Sequence, residues 1–143
     1  RIKAGLQDKI VLGNLDAKRD WGHAKDFVRA MHLMIQQKEP GDYVVATGEV
    51  RSVRDLLTEA FGLIGVKDWK PYISIDKQFI RPSDVDCLIG DSSKIRALGW
   101  KPEYSFESLI REMVEHEISC IHEISCINCR ATWSIPSIAF LNS

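Results

Sequence analysis

Two adjacent cations stand where a helix is predicted to begin. Lys18 and Arg19 directly precede Asp20, which we expect to cap the first complete helix. The positive end of a helix dipole disfavours nearby cations by about 0.3 to 1 kcal/mol, so a bound anion would relieve that cost. A phosphate there would bind both side chains and the free N–H groups of the first turn. The alternative is that both cations are solvated and partly neutralised by Asp16 and Asp20.

Arg81 is a second candidate ligand for an anion. Pro82 follows it in the chain and restricts its backbone to extended conformations, which favours a fixed direction for the guanidinium group. The alternative is an ion pair with Asp84 or Asp86. Two arginines on separate loops are what a diphosphate site needs, so Arg19 and Arg81 together predict such a site.

No catalytic constellation is recognisable in the chain. No two glycines stand two positions apart, so there is no Gly-x-Gly-x-x-Gly turn for a dinucleotide, and there is no P-loop. None of the three tyrosines is followed four positions later by a lysine, which excludes the Tyr-x-x-x-Lys pair of many dehydrogenases. A nucleophile elbow and a His-Glu-x-x-His zinc helix are also absent from the sequence. We therefore expect this chain to bind a ligand and to hold no catalytic residue.

The composition is that of a soluble globular domain. The 143 residues are 45% hydrophobic and 27% charged, and 19 Lys plus Arg against 20 Asp plus Glu give a formal net charge of −1. Balanced charge argues against nucleic acid or an anionic membrane as the main partner. No apolar run approaches the roughly 18 to 20 residues of a membrane span, and no signal peptide is recognisable. A cytoplasmic location is expected.

Strands and helices are predicted to alternate, which indicates an α/β fold. Apolar runs predict strands at 10–12, 43–47 and 72–76, the second of them buried within a parallel sheet. Apolar residues three and four positions apart predict helices between and after these strands. The expected helix caps are, in chain order, Asp20, Ser52 with Asp55 as a capping box, Asp91 and Ser105, and the expected helix ends are Pro40, Gly65 and Gly99.

Several side chains of types that carry chemistry elsewhere are predicted to be structural here. His23 lies beside Trp21 at the predicted helix start, where a capping or core role is favoured over ligand contact. Methionines on an apolar helix stripe and isolated tryptophans most often serve packing. The residues expected in the core on these grounds are Met31, Met34, Trp69 and Trp100.

Residues 116–143 differ in composition from the rest of the chain. They begin with a tandem duplication of His-Glu-Ile-Ser-Cys-Ile and contain three of the four cysteines. His116 with Cys120, and His122 with Cys126, are spaced to share one helix face, and Cys126 with Cys129 has a spacing found in zinc sites. A zinc-binding or partner-binding tail is therefore an alternative to unpaired, reduced thiols.

The residues at 12–28 read Leu-Gly-Asn-Leu-Asp-Ala-Lys-Arg-Asp-Trp-Gly-His-Ala-Lys-Asp-Phe-Val. Further characteristic segments are Ala-Thr-Gly-Glu at 46–49, Arg-Pro-Ser-Asp-Val-Asp at 81–86 and Leu-Gly-Trp-Lys-Pro at 98–102. The last of these is widespread among extended short-chain dehydrogenases that act on nucleotide sugars. The 13–23 string is more specific, and with it residues 1–117 closely resemble the GDP-mannose 4,6-dehydratase family.

This resemblance implies a fold and an activity. The fold would be the C-terminal, substrate-binding part of an extended short-chain dehydrogenase, an NAD(P)-binding Rossmann-like α/β architecture with an incomplete sheet. The family's lyase reaction converts GDP-mannose to GDP-4-keto-6-deoxymannose and water, toward GDP-fucose and related deoxyhexoses. NADP and the catalytic Thr, Glu, Tyr and Lys would belong to an N-terminal half that these 143 residues do not include. The chain is therefore expected to be a fragment that binds the GDP-sugar but is inactive alone.

The resemblance also implies roles for single residues. Asn14 and Lys18 would lie near the nucleotide, and Arg19 and Arg81 would bind the diphosphate. Asp84 stands where relatives often have Glu, so a ribose contact there would be made by a shorter side chain. Full-length members assemble as homo-oligomers.

Residues 1–117 are expected to form the substrate-binding portion, and 118–143 a non-homologous, poorly ordered tail rich in Cys, Ser and Ile. Two alternatives are kept at this point. One is the matching part of a nucleotide-sugar reductase or epimerase, which would share the fold. The other is a non-catalytic binding module that uses the Cys/His tail.

Overall fold

A computed structural model describes residues 1–80 and 87–126 of the chain, the last five as helical backbone only. Its strands are β1 (Ile10–Leu12), β2 (Lys18–Asp20), β3 (Val50–Ser52) and β4 (Ile73–Ile75). Its α-helices are α1 (Ala24–Ile35), α2 (Val53–Leu63), α3 (Ser93–Arg96) and α4 (Phe106–Cys126), and single 3₁₀ turns cover Lys70–Tyr72 and Lys77–Phe79. None of these helices is both long enough and apolar enough to cross a lipid bilayer.

The strands form two separate pairs. β1 and β4 are parallel, with Ile10 opposite Ile73, and β2 and β3 are antiparallel. Parallel strands need a long crossover connection, and here the chain between β1 and β4 contains both α1 and α2. The predicted alternation of strands and helices in an α/β fold is confirmed, and so are the predicted strands at 10–12 and within 72–76.

The start of α1 differs from the prediction, because His23 and not Asp20 is its N-cap. The Nδ1 atom of His23 accepts a hydrogen bond from the backbone N–H of Lys25 at 3.1 Å. Asp20 lies in β2, where its carboxylate accepts hydrogen bonds from the backbone N–H groups of Thr47 (2.9 Å) and Gly48 (2.8 Å) and from the Thr47 hydroxyl (2.7 Å). Three donors from a distant loop satisfy this carboxylate, so it is not used as a helix cap.

Two apolar clusters hold the elements together. The first joins α1, α3 and the segment at 43–45, and the second joins α2 to the β1–β4 pair. Trp100 belongs to the first and Trp69 to the second, so the prediction that both are packing residues is confirmed. Their indole N–H groups donate to the Asp26 carbonyl at 2.9 Å and the Thr58 hydroxyl at 3.0 Å. The fully or largely buried members of the clusters are Ala30, Leu57, Phe61, Trp69, Ile95 and Trp100.

The apolar stripe of α1 is only partly covered. Met34 packs against the first cluster, as predicted, but Met31 is 56% exposed and its assignment to the core is wrong. Val28 and Ile35 are exposed on the same helix. The stripe is wider than the face that Trp100 and Ile95 cover, and the residues with described side chains leave the remainder exposed.

The segment at 43–47 was predicted to be a buried strand, and this prediction is wrong. Tyr43 and Val45 pack against the first cluster and Ala46 is buried, but Val44 is exposed. An extended segment becomes a strand only when its backbone groups pair with a neighbour. Over the described ranges, this segment has no strand beside it.

The other helix caps follow the prediction more closely. α3 has Ser92 as its formal N-cap, but the Asp91 carboxylate accepts a hydrogen bond from the Ser93 N–H at 2.9 Å. The Ser105 hydroxyl accepts a hydrogen bond from the Ser108 N–H at 3.2 Å at the start of α4. α4 continues without a break past residue 117, where the sequence predicts a change of domain; that boundary stays a prediction.

The capping box of α2 is confirmed. The Ser52 hydroxyl oxygen accepts a hydrogen bond from the Asp55 N–H at 3.1 Å, and the Asp55 carboxylate accepts one from the Ser52 N–H at 2.8 Å. The chain leaves α2 at Gly65, whose φ of +84° is a backbone conformation that residues with a Cβ rarely adopt. Ser52 is also the last residue of β3, so the capping box fixes the junction between the antiparallel β2–β3 ribbon and α2.

Replacing Ser52 by alanine is expected to lower the free energy of unfolding by about 0.5 to 2 kcal/mol, because the helix loses its cap. The Ser52 N–H and hydroxyl hold the pKa of Asp55 below its ordinary value of 3.8. That carboxylate therefore stabilises the fold above pH 3.8, and the effect is lost as the pH falls through the lower folded pKa. Urea denaturation at pH 7 and near pH 3 should show the difference between wild type and Ser52→Ala shrinking in acid.

Ser119→Ala is the matched control for this measurement. Its hydroxyl is exposed on α4 and donates to the Glu115 carbonyl at 3.0 Å, and no carboxylate caps a helix there. We expect a change below about 0.5 kcal/mol at both pH values. A Ser52→Ala effect no larger than this control would contradict the capping role.

Candidate functional site

The β2–β3 ribbon sets the directions of the candidate cations. Its register places Lys18 opposite Ser52, Arg19 opposite Arg51 and Asp20 opposite Val50. Directly opposed residues share a face and successive residues alternate between faces, so Arg19 and Lys18 leave β2 on opposite sides. The interpretation that both cations grip one anion at a helix N-terminus is wrong, because α1 begins only after His23. Their contact with substrate stays a prediction.

The far edge of β2 meets the chain that follows the 81–86 segment. Arg81 and Asp84, two of the predicted ligands, lie outside the described residues. Cys87 pairs with Lys18 in a parallel bridge, and the Leu88 N–H donates to the Lys18 carbonyl at 3.3 Å. The chain therefore emerges from that segment directly beside the strand that carries Arg19.

The carboxylates proposed as neutralising partners of Lys18 and Arg19 are engaged with other groups. Asp16 accepts hydrogen bonds from Nε and Nη2 of Arg54 at 3.1 and 2.9 Å. Asp20 binds the loop at 47–48, as described above. One guanidinium N–H of Arg19 donates to the Lys18 carbonyl at 2.8 Å, which bends this half-buried side chain along its own strand.

Asn14, the remaining predicted ligand, lies in the loop between β1 and β2. Its side-chain oxygen accepts a hydrogen bond from the Asp16 N–H at 2.9 Å, which forms an Asx-turn. The turn sets the path of the three residues that separate Asn14 from Lys18. The structure thus places Asn14, Lys18 and Arg19 on one continuous loop and strand.

His23 has a structural role, as the sequence predicted. It is buried, its ring stacks on Tyr104 with centroids 3.9 Å apart, and its Nε2 lies 3.2 Å from the Glu112 carboxylate. Lys25 donates to the same carboxylate at 2.8 Å. This hydrogen bond lowers the pKa of Glu112 and raises the pKa of Lys25. The group ties the start of α1 to α4.

Asp26 is an important residue that the sequence pattern alone does not single out. It is fully buried and forms an ion pair with Arg29. Its two carboxylate oxygens also accept hydrogen bonds from the backbone N–H groups of Glu103 (3.1 Å) and Tyr104 (3.2 Å). The only available signal was the Asp-x-x-Arg spacing on one helix face. Asp26 holds the 103–104 loop against α1.

Two depressions lie on either side of the loop at 47–49. The larger, of about 550 Å³, is wide open and is lined by Thr47, Gly48, residues 89–93 and Arg96. The smaller, of about 70 Å³, lies between the ribbon and the start of α4, and its walls include Trp21, Arg51 and Phe106. Neither depression can be recognised in the sequence, because their walls come from segments far apart in the chain.

The described residues do not fit a nicotinamide dinucleotide. Such a site needs a glycine-rich turn between a strand and the N-terminus of a helix. Here β1 leads into the Asn14 turn, and β4 leads into a single 3₁₀ turn at Lys77–Phe79.

One pair of candidate metal ligands is close together. His116 Nε2 and Cys120 Sγ are 3.6 Å apart, one turn apart on α4. Within residues 1–80 and 87–121, where side chains are described, no group of three His, Cys, Asp or Glu side chains is arranged to hold a metal. The predicted partners His122, Cys126 and Cys129 have no described side chains.

Solved structures define the class of this fold. The RMD protein from Pseudomonas aeruginosa, complexed with NADPH, matches with a TM-score of 0.73 and 25% identity over 84% of this chain and 39% of that one. UDP-glucose 4-epimerase from Thermotoga maritima, with UDP-glucose, matches with a TM-score of 0.69 and 25% identity over 85% and 38%. The chain has part of the Rossmann-like α/β fold of the extended short-chain dehydrogenases, as predicted.

Sequence comparisons identify the family within this class. A family model described as GDP-mannose 4,6 dehydratase matches residues 1–113. GDP-mannose 4,6 dehydratase 2 of Arabidopsis thaliana is 52% identical over 119 residues, which cover 82% of this chain and 32% of the relative. The Homo sapiens GDP-mannose 4,6 dehydratase is 43% identical over 135 residues, 82% of this chain and 36% of the relative. The chain belongs to the GDP-mannose 4,6-dehydratase family and spans about a third of the length of these curated relatives.

Proposed function

We propose that this chain is the substrate-binding part of a GDP-mannose 4,6-dehydratase and that it binds the GDP moiety of GDP-mannose. The observation that carries the proposal is the position of Arg19 on β2. The edge of β2 away from β3 pairs with Cys87 and Leu88, which directly follow the 81–86 segment. Family membership supplies the substrate class. The whole enzyme would be a lyase that forms GDP-4-keto-6-deoxymannose and water, toward GDP-fucose and related deoxyhexoses.

The binding roles follow from the resemblance to the family and from the charge of each side chain. Arg19 and Arg81 bind the diphosphate, since a guanidinium group presents paired N–H donors to phosphate oxygens. Asn14 and Lys18 lie nearer the nucleoside, and Asp84 contacts the ribose. Support comes from the Asn14 turn and the bridge from Lys18 to Cys87, which bring three segments together around β2.

The diphosphate grip positions the substrate and performs no bond cleavage. Holding a charged diphosphate at a fixed place restrains the hexose attached to it, and this favours reaction at groups supplied elsewhere. NADP and the residues for hydride and proton transfer belong to a further part of the enzyme. Residues 1–117 form the binding portion, and 118–143 a separate tail. The whole enzyme is a cytoplasmic homo-oligomer.

Replacing Arg19 by alanine is expected to weaken GDP binding about 10- to 100-fold, because one or two charge-assisted hydrogen bonds to the diphosphate are lost. Wild-type chain should show a rise in Tm with GDP, since a ligand that binds only the folded state stabilises it. The rise should be much smaller for Arg19→Ala at the same GDP concentration. Differential scanning fluorimetry over a GDP series measures both.

Arg111→Ala is the control for loss of one positive charge, because Arg111 is an exposed residue on α4. Its GDP response should equal that of the wild type. If GDP leaves the Tm of the folded wild-type chain unchanged up to millimolar concentration, the proposed function is wrong for this chain.

A further inference from the structure

We propose that His116 and Cys120, one turn apart on α4, form a chelating pair that binds a divalent cation of the zinc type. The site lies outside the residues assigned to the GDP-sugar, so this inference goes beyond the proposed function and does not depend on it. An imidazole nitrogen and a thiolate sulfur are among the ligand atoms that zinc prefers in proteins. The chain has both in the first copy of its tandem His-Glu-Ile-Ser-Cys-Ile sequence.

The distance between the two ligand atoms fits a single cation. His116 Nε2 and Cys120 Sγ are 3.6 Å apart. In tetrahedral sites zinc forms bonds of about 2.0 to 2.1 Å to nitrogen and about 2.3 Å to sulfur, so two such ligands of one ion lie about 3.5 to 3.6 Å apart. The pair therefore chelates zinc with little movement of either side chain.

The contact between the two side chains also sets the direction of their lone pairs. A thiol is a donor, so the hydrogen bond is assigned as S–H of Cys120 to the Nε2 lone pair of His116. Zinc binding breaks the S–H bond, forms zinc–sulfur and zinc–nitrogen bonds and releases the proton to solvent. The lone pair that accepts the thiol proton is thus the one that binds the cation. Affinity is expected to rise with pH, because that proton competes with the cation.

No other group of the fold depends on this pair. His116 is exposed and Cys120 is half-buried on the surface of α4. Over residues 1–80 and 87–121, each of the two side chains has the other as its polar partner, and neither forms an ion pair. A cation from solvent therefore reaches both ligand atoms without breaking an interaction that holds the fold together.

Glu112 precedes His116 by one helical turn but does not serve as a third ligand. Its carboxylate accepts a hydrogen bond from Lys25 at 2.8 Å and lies 3.2 Å from Nε2 of His23. The pair therefore supplies two of the four positions of a tetrahedral ion, and water takes the others. Half of the binding free energy of a four-ligand structural site corresponds to a dissociation constant on the order of 1 to 100 µM.

Titration of the full-length chain with Co²⁺, in the presence of a phosphine reductant, tests the site. The reference protein carries Cys126→Ser and Cys129→Ser, so Cys87 and Cys120 are its only thiols. It is expected to show a saturable sulfur-to-cobalt charge-transfer absorption that zinc abolishes by displacing cobalt. Binding at pH 6 should be at least about tenfold weaker than at pH 8, because the ligands must lose their protons.

Substitution of either ligand should remove the chelate. Cys120→Ser in the reference protein should abolish the charge-transfer absorption, and His116→Ala should raise the dissociation constant at least about tenfold, because one ligand remains. Two matched controls should stay within twofold of the reference. Cys87→Ser removes an exposed thiol elsewhere, and His32→Ala removes an exposed imidazole on α1.

The outcomes decide the inference in each case. It is overturned if the reference protein shows no saturable absorption up to millimolar Co²⁺, if folded His116→Ala keeps the reference affinity, or if Cys87→Ser loses as much as Cys120→Ser. Circular dichroism checks folding, and His116→Ala decides the matter if Cys120→Ser does not fold. The rise in Tm with GDP should be the same in His116→Ala and wild type, so the proposed function is tested separately.

Discussion

Asp26→Ala is expected to lower the free energy of unfolding by about 3 to 5 kcal/mol, a large part of the 5 to 15 kcal/mol typical of a domain. The physical reason is the number of groups that depend on this buried carboxylate. Its removal leaves the Arg29 guanidinium without its buried partner and the Glu103 and Tyr104 N–H groups without acceptors. Urea denaturation followed by tryptophan fluorescence measures the loss, because Trp100 donates to the Asp26 carbonyl.

The control for Asp26 is Glu103→Ala, in the same network. Glu103 forms a 2.6 Å ion pair with Arg29, but its side chain is 58% exposed, and its backbone N–H still reaches Asp26 in the variant. We expect a loss below about 1 kcal/mol. Similar losses for the two variants would mean that the exposed ion pair, and not the buried carboxylate, holds the 103–104 loop against α1.

The 143-residue chain is expected to convert no GDP-mannose in the presence of NADP, although it binds GDP. The reason lies in its sequence, which has no Tyr-x-x-x-Lys pair and no glycine-rich dinucleotide turn. General acid–base catalysis and hydride transfer both need groups in contact with the reacting atoms. Chromatographic analysis for GDP-4-keto-6-deoxymannose after long incubation measures the rate against an enzyme-free blank.

A parallel assay of the Arabidopsis thaliana relative named GDP-mannose 4,6 dehydratase 2 serves as the positive control for this measurement. Its matched region covers a third of its length, so it tests what the remaining two thirds add. Product formation by the shorter chain above the blank would show that its own residues complete a catalytic site. The binding experiment with GDP is independent of this result.

The capping box of α2 and the exit at Gly65 could be predicted because their interactions lie within a few residues. Ser52 and Asp55 are three positions apart, and their mutual hydrogen bonds need no distant partner. The same reasoning failed at α1. Asp20 and His23 both have side chains able to cap a helix, and the choice depends on Thr47, 27 positions from Asp20. A local pattern does not contain that information.

The same distinction between local and distant interactions explains which predictions of core residues were right and which were wrong. Trp69 and Trp100 were assigned correctly because large aromatic side chains are buried in most environments. Met31 follows the same periodicity as Met34, yet only Met34 packs against the Trp100 cluster. Periodicity shows which residues share a helix face, and the width of the covering element decides how much of that face is buried.

For the candidate site, the amino-acid sequence alone determined the family and the absence of catalytic motifs, because long strings such as that at 13–23 are readable without a fold. It also singled out Arg19. The tertiary structure decided the surroundings of the charged groups: it turned Lys18 and Arg19 to opposite faces of β2, engaged Asp20 with a distant loop, and set Arg51 opposite Arg19. The physical reason is that strand register and loop contacts join residues about 30 positions apart, and a change of one residue in register would turn Arg51 to the other face.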